Sequence, residues 1–212
     1  MTKIKAILFD MDGVLIEAKD WHYEALNKAL GLFGYEITRS EHLSSYDGLP
    51  TKTKLEKLKL EKGMPEALCD FVNEIKQQYT IEMVHNLCRP RFNHEYALAK
   101  LRAEGYHMAV CSNAVRMTVE VMMDCAKLTK YFDFMLSNQD VTKPKPDPEI
   151  YSTAMKRLGL KPDECLILED NKNGIKAALA SGGHLSKVNT VGDVTYDNIR
   201  GRIDEIERGG KQ

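Results

Sequence analysis

Five short apolar runs set the frame of this chain: Ile4 to Phe9, His107 to Cys111, Phe132 to Leu136, Cys165 to Leu168 and His184 to Val188. Runs of this length, rich in Ile, Val, Leu and Phe, read as strands buried on both faces. Helical patterns separate most of them, at Asn93 to Ala103, Ala114 to Ala126, Pro148 to Leu158 and Gly174 to Ser181. Strands alternating with such helices predict crossover units and a mainly parallel sheet, because parallel neighbours need a long connection. One helix start is explicit. Asp147 is a candidate N-cap, Pro148 suits the first helical position, and Gly159 ends an apolar stripe of Ile150, Ala154 and Leu158.

The stretch from about Ile16 to about Arg91 breaks the alternation. It holds helical patterns at Trp21 to Phe33, Lys52 to Lys62 and Pro65 to His85, and no convincing strand. The expected organisation is an α/β, Rossmann-like core with helices on both faces, made of residues 1–16 and 92–212. An all-helical unit, residues 17–91, is inserted after the first strand. A last surface helix is expected over Asp197 to Arg208, with fraying from Gly209 onward.

A chain of 212 residues with 43% apolar side chains can bury a substantial core. Its 30 basic and 31 acidic residues leave a formal charge of -1, too little for a field that gathers nucleic acid or anionic lipid. Any anion must therefore be held locally. The five cysteines are scattered and form no C-x-x-C pair, so neither a disulfide framework nor a zinc site is indicated, and a reducing, cytoplasmic setting is expected. No apolar run approaches a membrane span.

Three of the expected strands end in residues able to handle phosphate or metal: Asp10-Met11-Asp12-Gly13, Ser112-Asn113 and Glu169-Asp170-Asn171. The carboxyl ends of parallel strands share one edge, so these segments are expected to converge there. Lys143-Pro144-Lys145-Pro146-Asp147, after the third strand, adds cations. Taken singly, each segment has a plainer reading: a turn at Asp12-Gly13, helix caps at Ser112-Asn113 and Glu169-Asp170-Asn171, and a stiff loop at the prolines.

In this order and spacing, with Gly174-Ile175-x-Ala177-Ala178 following, the segments resemble the haloacid dehalogenase-like hydrolase superfamily. The helical insertion resembles its helical-cap branch, home to phosphoglycolate phosphatase-like and beta-phosphoglucomutase-like enzymes. The resemblance implies a Mg2+-dependent phosphatase acting on a small phosphorylated metabolite through an aspartyl-phosphate intermediate. It makes Asp10 the nucleophile and Asp12 the acid/base, with Mg2+ held by Asp10, Asp170 and the backbone carbonyl of Asp12, and supported by Glu169. Lys143 is the expected catalytic lysine, preferred to Lys145 because it stands before Pro-x-Pro-Asp. Ser112, with backbone amides near Met11 and Asn113, would hold the phosphoryl group. In the insertion, Gly48 marks the expected specificity loop, and His22 and Lys76 are candidate substrate contacts, His22 being equally readable as a part-buried helix residue beside Trp21. Lys52, Lys54, Lys57, Lys59 and Lys62 read as a solvated helix face.

The presence of Asp12 argues for phosphate esters over halides, because a departing alkoxide needs an acid and a halide does not. A phosphomutase is the alternative, disfavoured by Ala18 and Thr51 where mutases carry a small polar residue and an arginine. A non-catalytic phosphometabolite-binding protein is a further alternative. A monomer or small homo-oligomer is expected, without nucleic-acid or membrane partners.

Overall fold

The structure is a computed structural model and describes residues 3–209. Of the end expected to fray, from Gly209 onward, residues 210–212 lie outside them. A five-stranded, wholly parallel sheet is formed by β1 (Ala6–Phe9), β2 (His107–Cys111), β3 (Phe134–Leu136), β4 (Cys165–Glu169) and β5 (His184–Lys187), in the order β3-β2-β1-β4-β5.

The side-chain alternation of these strands feeds two cores. Ile7, Phe9, Met108, Val110, Leu166 and Leu168 face one side and pack with residues of α5 (Phe92–Ala103), α6 (Arg116–Cys125) and α9 (Tyr196–Glu207). Ala6, Leu8, Ala109, Cys111, Cys165 and Ile167 face the other, against α7 (Glu149–Leu158) and α8 (Lys172–Ser181). Both faces of β1, β2 and β4 are covered, which explains why these strands are continuous apolar runs, whereas β5, at the sheet edge, is part-buried to exposed and carries His184, Ser186 and Lys187.

The expected elements form, with shifted ends. β3 begins at Phe134, two residues late, because Thr129–Tyr131 is a 3-10 turn that delivers Phe132 extended. α7 begins at Glu149, so Pro148, expected as the first helical residue, is the N-cap residue instead, and Asp147 lies one position outside, its Oδ1 accepting the Glu149 amide at 3.0 Å. Gly159 closes α7 in the left-handed region, as its place in the sequence predicts.

Between β1 and β2 lie α1 (Lys19–Gly31), α2 (Arg39–Glu41), α3 (Thr51–Lys62) and α4 (Cys69–Leu87). No strand forms in this stretch among the described residues. Leu26, Leu30, Ile37, Tyr46, Leu55, Leu58 and Val72 build a separate apolar cluster there. The expected third helix, Pro65 to His85, starts late, since Glu66–Leu68 is a 3-10 turn. The short α2 and the π-turn His42–Tyr46 after it were not anticipated; their polar sequence has no helical apolar period.

Candidate active site

Pairing of β1 with β2 and β4 aligns Leu8 with Ala109 and Ile167, so the residues that follow each strand emerge at one sheet edge. Strand order reverses around β1, which opens a crevice there. Asp10 sits at its floor, 4% exposed. The backbone joins the layers: the Asp10 amide donates to Leu168 O at 3.0 Å, and the Ser112 amide to Leu136 O at 3.0 Å.

Lys145, not Lys143, meets Asp10. The Lys145 ammonium lies 2.7 Å from Asp10 Oδ1, 2.6 Å from Glu169 Oε1 and 2.7 Å from the Cys111 carbonyl. Lys143 is exposed, its amide donating to Glu149 Oε2 at 2.8 Å and its charge acting on that same surface carboxylate. The assignment of Lys143 as the catalytic lysine is therefore corrected. The stretch Lys143-Pro144-Lys145-Pro146-Asp147-Pro148 offers Lys-Pro-x-Pro in two overlapping frames, and α7 leaves the second lysine over the sheet edge.

Burial would lower the proton affinity of Lys145, but Asp10 and Glu169 outweigh it and hold the ammonium firmly charged. Tyr151 donates to the same Glu169 oxygen at 2.5 Å. The residue count in this knot is tight: a Cβ at Gly174 would come within 1.9 Å of Glu169 Oε1.

Oxygens of Asp10, Glu169 and Asp170 lie within 4.8 Å of one another. Burial raises the pKa of Asp10 well above the usual carboxylate range, Glu169, Asp170 and Asp12 raise it further, and Lys145 offsets only part. Clustered hard oxygen donors carrying more negative charge than one lysine neutralises fit an oxygen-seeking divalent cation. Asp170 Oδ2 already draws the Lys19 ammonium to 2.6 Å. Gly13, at φ +88°, is what admits that pair, since a Cβ there would lie 2.1 Å from Asp170 Oδ2. The Asp12 carboxylate stands outside this group of acids.

Asp12 faces the insertion instead. His22 Nε2 lies 3.0 Å from Asp12 Oδ1, and His22 Nδ1 lies 3.4 Å from the Lys76 ammonium. Burial raises the Asp12 pKa, but the charge and hydrogen bond of His22, with Lys76 and Lys54, outweigh it and leave the carboxyl below its ordinary value. His22 and Lys76 thus both line the cleft with Asp10, Asp12 and Gly48.

Other expected residues have local duties. Met11 buries its side chain in the core, and its carbonyl accepts the amides of Val14, Leu15 and Ile16. Ser112 is 1% exposed, and its hydroxyl accepts the Ala114 amide at 3.0 Å in a local turn; it does not cap α6, whose N-cap residue is Val115. Asn113 is a clamp. Its Nδ2 donates to Gly48 O and Lys145 O, both at 3.1 Å, and its Oδ1 accepts the Lys145 amide at 3.0 Å. It ties the insertion loop to the loop that carries the buried lysine.

A family model described as "Haloacid dehalogenase-like hydrolase" matches residues 7–201. A phosphorylated carbohydrates phosphatase of Thermotoga maritima is 26% identical, with 84% of this chain and 82% of that protein covered. A phosphoglycolate phosphatase of Aquifex aeolicus is 27% identical over 91% of this chain and 92% of that protein. Among solved structures, a beta-phosphoglucomutase from Clostridium difficile superposes with a TM-score of 0.83 at 20% identity, covering 97% of this chain and 99% of that one, a likeness of fold. A CbbY variant from Rhodobacter sphaeroides, solved with xylulose-(1,5)bisphosphate, gives a TM-score of 0.79 at 25% identity, over 87% of this chain and 85% of that one.

Proposed function

The chain belongs to the haloacid dehalogenase-like hydrolase family, and from that premise we propose that it is a Mg2+-dependent phosphatase of small phosphomonoesters, working through an aspartyl-phosphate on Asp10. One observation carries the reading: Asp10 is buried beside Lys145 within a knot of three acids, at the edge where a parallel sheet receives ligands. The names of the two phosphatase relatives support the substrate class.

Asp10 Oδ1 is held by Lys145, which leaves the second oxygen to attack phosphorus in line. Lys145 also stands where charge on the transferred group develops. Asp10, Asp170 and the Asp12 carbonyl would hold Mg2+, whose charge would offset that of the phosphoryl oxygens. Glu169, its Oε1 already taken by Lys145 and Tyr151, positions the lysine and supports the acid cluster.

Asp12 supplies the proton to the leaving oxygen and takes one from the attacking water. In the free site His22 keeps it ionised; a dianionic phosphate placed beside Asp12 raises its proton affinity by like-charge repulsion. In this reading residues 17–91 cap a catalytic core of residues 1–16 and 92–212. Hydrolysis is preferred to phosphoryl return because Thr51 and the fully buried Ala18 give a second phosphate no bidentate partner.

The test is phosphate release over a panel of phosphorylated metabolites, with Mg2+ and with chelator, for the parent and Asp10→Asn. Release that needs Mg2+ and vanishes in the folded Asp10→Asn variant is expected. Undiminished turnover by that variant, or no release from any ester, would refute the proposal.

A further inference from the structure

The cleft wall that α3 and α4 present to Asp10 carries two lysines that form no ion pair among the described residues. Lys54 is 6% exposed and Lys76 is 5% exposed, and both line the same cleft as Asp10. The other lysines of the cleft have carboxylates: Lys145 touches Asp10 and Glu169, and Lys19 touches Asp170. Among the described residues, the Lys54 ammonium has no hydrogen bond or ion pair. It feels Asp47 and Asp12 only at longer range. The Lys76 ammonium has the ring nitrogen of His22, which is no counter-charge, and it too feels Asp12 only at longer range.

The orientation of Lys54 is specific to that residue. On the same helix Lys57, Lys59 and Lys62 reach acids, Glu61, Glu56 and Glu41, and Lys52 is exposed. Lysine on a surface helix normally extends its ammonium into water. Lys54 instead turns inward beside another lysine, so the expectation of a solvated basic face does not hold at this position. Burying one unpaired cation is costly, and burying two as neighbours costs more. An anion entering between them would remove that cost.

We propose that Lys54 and Lys76 form a subsite for a second anionic group on the leaving-group side of the ester, so that the preferred substrate is the phosphate of an acidic molecule. This rests on the phosphatase reading and narrows it. The cleft holds its cations in two sets, Lys145 and Lys19 by the acids of the sheet edge and Lys54 and Lys76 on the wall above. A substrate with a phosphoryl group at one end and a carboxylate or second phosphate at the other matches both. Two ammonium groups favour charge over geometry, so the acid is recognised without the fork that a guanidinium supplies.

Binding to Asp10→Asn, which removes turnover, tests this by calorimetry with Mg2+ present. The probes are phosphate monoesters of glycolate and of its homologues one and two carbons longer, each against the monophosphate and the bisphosphate of the corresponding diol. For at least one length the acid or the bisphosphate should bind about tenfold or more tighter than the neutral ester. Lys54→Met should erase the preference and Lys54→Arg should keep it. Which probe shows the preference identifies carboxylate or phosphate as the second group. Equal affinities at every length, or a preference that survives Lys54→Met in a variant melting no lower than its parent, would overturn the subsite. The readout is binding, so absence of phosphate release by the parent enzyme would sink the phosphatase reading while leaving this result to stand or fall alone.

Discussion

Lys145 and Lys143 are two residues apart and differ in everything the fold does with them. Lys145 is buried between two carboxylates, whereas Lys143 is exposed and meets only Glu149, at the surface. Lys145→Ala should therefore lower kcat by roughly 10²–10³, the usual loss on removing one electrostatic stabiliser at a reacting oxygen. It should also cost stability, on the order of 3 kcal/mol, because Asp10 and Glu169 would be left buried as unpaired charges. Lys143→Ala should stay within about twofold of the parent in both, as exposed substitutions do. Phosphate-release kinetics and urea melts on the two variants check this, and equal losses would contradict it. Residue types and order brought Asp10, Asp12, Asp170 and the lysine-proline stretch into view from the sequence. The choice between two identical Lys-Pro-x-Pro frames was not legible there, because it depends on where α7 begins. The inward turn of Lys54 was hidden for the same kind of reason: five lysines on one segment look alike until α3 is packed against α4.

Helix α8 shows how one backbone position disciplines the site. Asn171 caps it, accepting the amides of Asn173 and Gly174 at 3.0 Å each, and places the first turn against the Glu169 carboxylate. Gly174 is needed for space, not for an unusual backbone angle, since its added Cβ would overlap the Glu169 carboxyl at 1.9–2.1 Å. Gly174→Ala should displace either α8 or Glu169, costing about 1–3 kcal/mol as overpacking does. Since Glu169 holds Lys145, kcat should fall with it. Denaturant melts paired with kinetics test this, and a variant as stable and active as the parent would count against the packing described. Among the elements, β2 was readable to the residue because an unbroken apolar run between polar ends defines it. The α2 segment and the π-turn were not, because Thr38 and Glu41 build a capping box in a stretch with no apolar period. Tyr46, at the end of the π-turn, enters the apolar cluster of the insertion, a tertiary contact that no local pattern announces.

Across the molecule, the insertion and the sheet edge meet through charge. His22 reaches Asp12, Lys19 reaches Asp170, and the Gly48 carbonyl takes the Asn113 amide. That assembly leaves Lys54 facing Asp47 and Asp12 as its acids, with His22, His42 and Lys76 as neighbours it repels or can repel. Burial pushes the Lys54 pKa down from 10.5 to about 8, with Asp47 and Asp12 restoring only part. The unfolded chain therefore binds more protons at this lysine between pH 8 and 10.5, and its contribution to stability rises with pH in that window. Below pH 8 the ammonium is charged in both states and the full burial penalty applies, on the order of 3 kcal/mol. Lys54→Met should thus melt above the parent at neutral pH, and the gap should close as pH approaches 10.5. Taking the difference between the two proteins cancels alkaline effects of groups that Lys54 does not act on, such as the buried thiols Cys111 and Cys165, whose pKa values burial pushes up to about 12 and which act in the opposite direction; it retains the coupling to Lys76, whose pKa of about 7 is held down by burial first and by Lys54 second. Melting curves of both proteins in metal-free buffer across this range decide the matter. A gap independent of pH would mean that Lys54 gains water or a counter-ion in the free enzyme, and that its charge carries no penalty for a substrate to relieve.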